Sequence, residues 1–478
     1  MDKSDCRAAD CQANLTVAGA LIDRFLLAAF QFRTRGFLRM EDVSGTIPKV
    51  PREGAGSLYL HVPFCESLCP FCSFHRVQHC RPRAQVYFHF LRQEVLRYYE
   101  AGFRFSAAYF GGGTPTTEPE ELVKTVNYVR KLFDVREISV ETNPRDLRPE
   151  ILLPLREAGV TRLSVGVQTF DDDLLKEIER YETYGSGAEA EEHIKDASGI
   201  FPTLNVDLIF NLPGQDLGSL MRDIEIVQRT GANQLSFYPL MSSAEAKQRM
   251  KPGVASSNRT RLRQFYNAIL TGLGPDFAPC SAWCFKREAK TTDEYIVEAD
   301  YYIGVGSGAF SYVDGKFYAT SFSLNTYEKR IAEGLTGITA KHRLSVGDQM
   351  RYSLLVKMFG LKLDRRWVMR HYGRKFSWWL WGELRTLELF GAAQKDPSGW
   401  KLTKRGMYWL MLMMTAFFES VAEYRDTMRK HIAAEMRENR QTNIASEKSR
   451  PGSEVVIANG RANLRCKLNE GIGEAQTS

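Results

Sequence analysis

The sequence predicts an α/β fold, a partial (β/α) barrel core followed by a C-terminal helical domain with a β-wing. Three observations carry that expectation. Short β-rich runs at 58–62, 107–110, 137–141, 162–167, 204–210 and 234–238 alternate with stretches that mostly have room for one crossover helix. Polar or glycine-rich segments stand directly after these runs, on the rim where such a sheet assembles its site. From Lys341 the pattern turns helical and aromatic-rich, around a turn at DPSG and a short strand in GWKLT.

Taken in order, residues 1–50 read as an N-terminal helical extension, with an amphipathic helix within 17–38 and the linker IPKVPREGAGS at its end. Residues 51–340 read as the core. Residues 341–437 read as a helical domain that covers its mouth, and 438–478 as a disordered polar tail. The chain has 478 residues, 44% hydrophobic and 25% charged, which allows two or three domains and a large buried core. The net charge of +7 is spread without a long Lys/Arg run, so no nucleic-acid partner is expected. The first residues hold no apolar signal core. The longest apolar stretch, 408–418, falls far short of the ~20 residues that span a bilayer. The expected location is cytoplasmic, at most peripheral at the inner face of a membrane.

Nine cysteines, an odd number with one tight cluster, point to a metal site in a reducing compartment rather than to disulfides. The cluster lies in LYLHVPFCESLCPFCSFHRV. Cys65, Cys69 and Cys72 form C-x3-C-x2-C directly after an expected strand. Thiolates are soft ligands, suited to iron–sulfur clusters or zinc. Three of them on one loop can hold three corners of a [4Fe–4S] cubane and leave the fourth iron open. Zinc would want a fourth protein ligand, which His75, His79 or Cys80 would have to supply.

The segments YLHVPFC, CPFC, GGGTPT, ETNP, VGVQTF, DLIFNLPGQ and GVGSGAFSY together resemble the radical S-adenosylmethionine (SAM) superfamily, and within it the oxygen-independent coproporphyrinogen III oxidase-like family. The resemblance runs from about Tyr59 to Phe418. It implies a [4Fe–4S] cluster on Cys65, Cys69 and Cys72, and two SAM molecules. A first SAM is implied at Tyr59, Phe71, Gly112 and Glu141. A second is implied at Gly113, Thr114, Gln168, Arg180 and Asp207. Without the resemblance, the glycines read as a strand-to-loop turn, and Glu141 and Arg180 as solvated charges. Asn211 stands where the family usually has Gly, which bears on the shape of that loop. Cys280 and Cys284 read as buried thiols, with Cys284 a candidate donor near the substrate.

Two features guide the expected activity. The oxidases carry a further cysteine two residues after the third ligand, and here that place is Phe74. The segments SWWLWGELRTLELF and MYWLMLMMTAFF are rich in Trp, Met and Phe, which fits helix core or an apolar substrate surface. The expectation is therefore a class C radical SAM methyltransferase acting on menaquinone at C8, supplied with electrons by reduced flavodoxin or ferredoxin. The apolar surface is expected from Trp378, Trp379, Trp381, Met411, Met413, Met414, Phe417 and Phe418. The alternatives are a tetrapyrrole-acting enzyme or a haem chaperone, with Arg365, Arg366, Arg370, Arg374 and Lys375 as carboxylate partners.

Overall fold

The computed structural model describes residues 39–435, apart from residues 44, 46, 53, 55, 242, 251–258, 288–296, 298 and 434. The helix expected within 17–38 and the tail at 438–478 lie outside the described residues.

All six expected strands are present within two residues of their expected ends. They are β1 (Gly56–Val62), β2 (Ala107–Gly112), β3 (Glu137–Thr142), β4 (Arg162–Gln168), β5 (Thr203–Phe210) and β6 (Gln234–Pro239). They lie side by side in chain order, all parallel. Between them run the helices Arg81–Glu100, Pro119–Leu132, Pro149–Glu157, Gly187–Ala197 and Leu217–Gln228. Burial is uneven across the sheet: β3 alternates half-buried and buried residues, with Glu141 on the half-buried side that lines the cavity, whereas β1 is covered on both sides. Every residue of β1 is buried accordingly. Side-chain caps fix where helices start: Ser186 with Glu189, and Asp216 with Ser219, form reciprocal pairs.

A seventh parallel strand, β7 (Tyr301–Val305), returns to the far side of β1. Beyond it the sheet turns antiparallel through Phe310–Val313, Lys316–Thr320, Ile338–Arg343 and Glu41–Asp42. At the other end Cys284–Lys286 and Ala278–Pro279 add an antiparallel edge beyond β6. The 13 strands form an open sheet with two edges, a partial barrel without closure. Glu41–Asp42 is a strand inside the stretch expected to be helical, because it pairs with Ile338–Arg343.

The remainder packs across the strands' C-terminal ends. Helix Val346–Phe359 and the last helix, Lys404–His431, lie together. A small sheet of Lys362–Asp364, Ala393–Asp396 and Gly399–Leu402 forms the expected wing. Among the described residues, no helix is long and apolar enough to cross a membrane.

Candidate active site

One cavity of about 350 Å³ opens over the C-terminal ends of β1–β6. Cys65, Cys69, Cys72, Tyr59, Phe71, Gly112, Gly113, Thr114, Glu141, Gln168, Arg180 and Asp207 all line it. Residues more than a hundred positions apart in sequence meet because each lies on, or in the segment after, one of the neighbouring parallel strands.

The cysteine loop is seated by backbone bonds. Thr114 N–H donates to Phe64 O at 2.7 Å, and Gly113 N–H to Val62 O at 2.8 Å. A Cβ at Gly113 would lie 2.6 Å from Phe64 O, and one at Gly111 2.7 Å from Glu141 Oε1. The glycine run is thus required by the approach of the cysteine loop and of Glu141, before any ligand is considered. Arg76 donates from Nη1 to Cys72 O at 2.7 Å and from Nη2 to Cys69 O, closing the loop from below.

The sulfur atoms carry polar partners. Thr114 Oγ1 donates to Cys65 Sγ at 3.7 Å, and Arg180 Nη1 to Cys69 Sγ at 3.5 Å. Asn143 joins the two: its Nδ2 donates to Thr114 Oγ1 at 2.8 Å, and its Oδ1 accepts from Arg180 Nη2 at 2.8 Å. Burial, with the neighbouring Cys72, pushes the Cys65 thiol up to about 12, against the pull of Arg76. Such a thiol stays protonated until a metal takes the sulfur, since coordination releases the proton.

The donor set fits a cubane. Among the described residues, no three His, Cys, Asp or Glu side chains converge as a single metal ion's shell. A cubane does not ask for that, because each thiolate binds its own iron. The would-be zinc partners are committed elsewhere. His75 Nε2 meets Ser307 Oγ at 3.2 Å, His79 Nε2 meets Glu118 Oε1 at 2.8 Å, and Cys80 is buried at the N-cap position of the helix Arg81–Glu100.

Two carboxylates face the cavity. Glu141 accepts from the Tyr109 hydroxyl at 2.9 Å and from Gly112 N–H at 3.0 Å. Burial raises it to about 7, with Asp207 adding to the rise and Gly112 N–H opposing it. Asp207 accepts from Ser164 Oγ at 2.8 Å and Asn205 Nδ2 at 2.7 Å, and burial raises it too, against Arg162. Glu141 is not the solvated charge that its strand-end position alone suggests, and Asp207, within β5, is buried among polar partners as well. Gln168 has φ 76 at a register shift between β4 and β5, where Val167 is passed over and Gln168 itself pairs with Leu208. Asn211 has φ 62, a conformation Asn tolerates, so the loop keeps a glycine-like shape.

Several lining residues were not singled out by sequence reasoning. Tyr109 alternates inward on β2, and Asn143 sits in ETNP, so both carried a signal. Arg425 did not. It stands on the last helix, with its guanidinium 4.7 Å from the Phe74 ring.

The expected apolar surface divides. Met414, Phe417 and Phe418 line the cavity, and Met411 is buried core. Met413 packs partly buried against that core. Trp378, Trp379 and Trp381 do not line the cavity; they are 77%, 49% and 64% exposed. Arg365, Arg366, Arg370, Arg374 and Lys375 are likewise exposed and outside it. The lining cations are Arg76, Arg180 and Arg425. Cys284 is buried beside Ser236 and lies outside the lining, while Cys280 is half-buried.

Residues 59–227 match the family model described as the radical SAM superfamily. The haem chaperone HemW of Bacillus subtilis is 28% identical over 383 residues, covering 73% of this chain and 96% of that protein. The oxygen-independent coproporphyrinogen III oxidase of Escherichia coli is 24% identical over 381 residues, covering 73% and 82%. The solved structure of the E. coli coproporphyrinogen III oxidase superposes with a TM-score of 0.64 at 22% identity, over 76% of this chain and 90% of that one. These findings overturn the expected menaquinone C8-methyltransferase, since the relatives that span most of the chain are named as haem chaperones and oxidases. The Trp/Met-rich segments that suggested a quinone lie only partly in the cavity. The chain carries a radical SAM α/β core, similar to that of the coproporphyrinogen oxidase and HemW relatives, and this superfamily uses a [4Fe–4S] cluster and SAM.

Proposed function

We propose that this radical SAM protein takes a tetrapyrrole in its cavity, with haem the first candidate. The carrying observation is the cavity's cation content. Of its three arginines, Arg76 and Arg180 are bonded into the cysteine loop, and Arg425 is the cation on the roof side. A coproporphyrinogen brings four carboxylates and calls for several guanidinium partners. A haem brings two, with a large apolar face for Phe417, Phe418 and Met414. Phe74, in place of the oxidases' further cysteine, supports the same choice. The HemW relative matched over 96% of its length supports it too.

In this reading Cys65, Cys69 and Cys72 hold the cluster. Glu141, Gly112, Tyr59 and Phe71 hold a first SAM, and Gly113, Thr114, Gln168, Arg180 and Asp207 a second. Reduced flavodoxin or ferredoxin is the electron source. When bound, cluster and SAM together supply one-electron radical chemistry. The chain's own part is positional. Tyr109 and Gly112 fix the Glu141 carboxylate for hydroxyl donors. Ser164 and Asn205 fix Asp207. Arg180 braces Cys69 against Asn143.

The test titrates haem into anaerobically reconstituted protein and follows the Soret band. Stoichiometric binding is expected, with no decarboxylation when coproporphyrinogen III, SAM and reductant are supplied. Turnover of coproporphyrinogen to a decarboxylated product, without haem binding, would move the assignment to the oxidase.

A further inference from the structure

We propose that the surface built from residues 365–390 docks the protein on an anionic phospholipid bilayer. The inference is independent of the tetrapyrrole reading.

The stretch 365–381 holds Arg365, Arg366, Arg370, Arg374 and Lys375 and no acidic residue. All five side chains are exposed, and among the described residues none forms an ion pair. Beside these cations stand large aromatic groups in water: Trp378 at 77% exposure, Trp379 at 49% and Trp381 at 64%, with the Trp378 and Trp379 rings 6.1 Å apart. Single exposed apolar residues need no explanation, but a contiguous aromatic cluster does. The arrangement is not loose packing. Phe376 and Leu380, in the same stretch, are fully buried and anchor it, which leaves the tryptophans on the outer side.

The chemistry selects lipid. Trp favours the headgroup layer, where its ring is half-buried and its N–H stays wet. Arg and Lys reach phosphates from the same depth while their stems stay apolar. A concavity of roughly 600 Å³ between Met369, Arg374, Trp378, Trp381, Arg385 and Lys395 offers room for a headgroup. Its two acids are occupied: Glu388 accepts from Trp400 Nε1 and Arg385, and Asp396 from Ser398 and Lys401. Charge complementarity therefore points to an anionic surface. The patch also abuts the cavity roof. The Trp379 ring sits against Gly347, in the first turn of the helix whose Tyr352 and Val356 line the cavity.

The test is sedimentation of the full-length protein with phosphatidylcholine vesicles, with and without phosphatidylglycerol. Binding is expected only with phosphatidylglycerol and should weaken as salt rises. R370Q, R374Q and K375Q should each lower the partition about fivefold, from ~1 kcal/mol per basic residue at such a surface. W378S/W381S should abolish it, while circular dichroism and iron content match the parent, since both side chains are exposed. The proposal fails if the parent stays in the supernatant, or if W378S/W381S partitions equally. It also fails if light scattering shows a dimer that the double variant dissociates with no vesicle dependence, which would make this a contact between copies.

Discussion

The two walls of the cavity are built on opposite principles. The floor, from β1–β5, is a polar lattice in which Thr114, Asn143, Glu141 and Asp207, on or just after the strands, and Arg180, from the segment after β4, each hold named partners. The roof, from helix Val346–Phe359 and the last helix, is mostly apolar, with Tyr352, Val356, Met414, Phe417, Phe418 and Val421 facing inward and Arg425 its one lining cation among the described residues. Directional bonds fix the floor to fractions of an ångström. Dispersion and water exclusion shape the roof, which tolerates exchange of one apolar residue for another. The floor therefore suits cofactors of fixed chemistry, and the roof suits the part of the system that differs between relatives.

The largest break in this contrast comes at the thiolates. Cys65→Ala, Cys69→Ala or Cys72→Ala should each abolish the cluster, read as loss of bound iron and of visible absorbance after anaerobic reconstitution. Cys284→Ala should retain it. Cluster survival in Cys69→Ala would refute the ligand assignment. Next is Gly113→Ala. Its Cβ would meet the backbone oxygen of Phe64, which cannot swing aside as a side chain can. A cost of ~1–3 kcal/mol is expected from such overpacking. Thermal unfolding and iron content should fall together, whereas Gly382→Ala, where the added atom meets nothing within 4 Å, should leave both unchanged.

The contrast also governs what could be read from the sequence. Local spacing announces the six strands and the cysteine loop, whereas the roles of Glu141 and Arg180 rest on the resemblance, since neither position alone marks a buried site. The roof depends on contacts hundreds of residues apart. Arg425 reaches Phe74 across most of the chain, and no local pattern announces that. The tryptophans lie outside the cavity they are expected to line for a related reason. Lys375–Trp379 is only five residues long, too short for periodicity to say which side faces in. The antiparallel strands after β7 do carry a local signal in their turn. Asp314-Gly315, with φ 50 and 66, is the two-residue turn that a tight hairpin favours.

A smaller effect tests the roof alone. Phe418 lines the cavity and lies 5.9 Å between ring centroids from Trp283, tilted against it. Phe418→Ala should weaken haem binding about tenfold or more, for the loss of ~1.5–3 kcal/mol of apolar burial. Iron content and uncoupled SAM cleavage should stay at parent levels, because the floor is untouched. Equal loss of both functions would mean that the walls are not separable.

The smallest expected effect is a pH dependence confined to the floor. Buried Glu141 is raised to about 7 from an ordinary value of 4.5. The folded state therefore holds its proton where the unfolded chain has lost it. Its contribution to stability is fully present below 4.5 and is lost as pH rises through about 7, because in that window the native state binds more protons. SAM binding should show the opposite sign. Ribose hydroxyls donate, and a carboxylate accepts them better than a carboxylic acid, so affinity should rise as pH passes through about 7. Glu141→Gln keeps the shape, removes the titration, and should bind SAM more weakly with that rise abolished. Asp207, Asp146 and Asp223 also titrate from raised positions, so the quantity to compare is the slope of the variant against the parent, measured by equilibrium dialysis with labelled SAM. A Glu141→Gln profile parallel to the parent's would remove Glu141 from the SAM site.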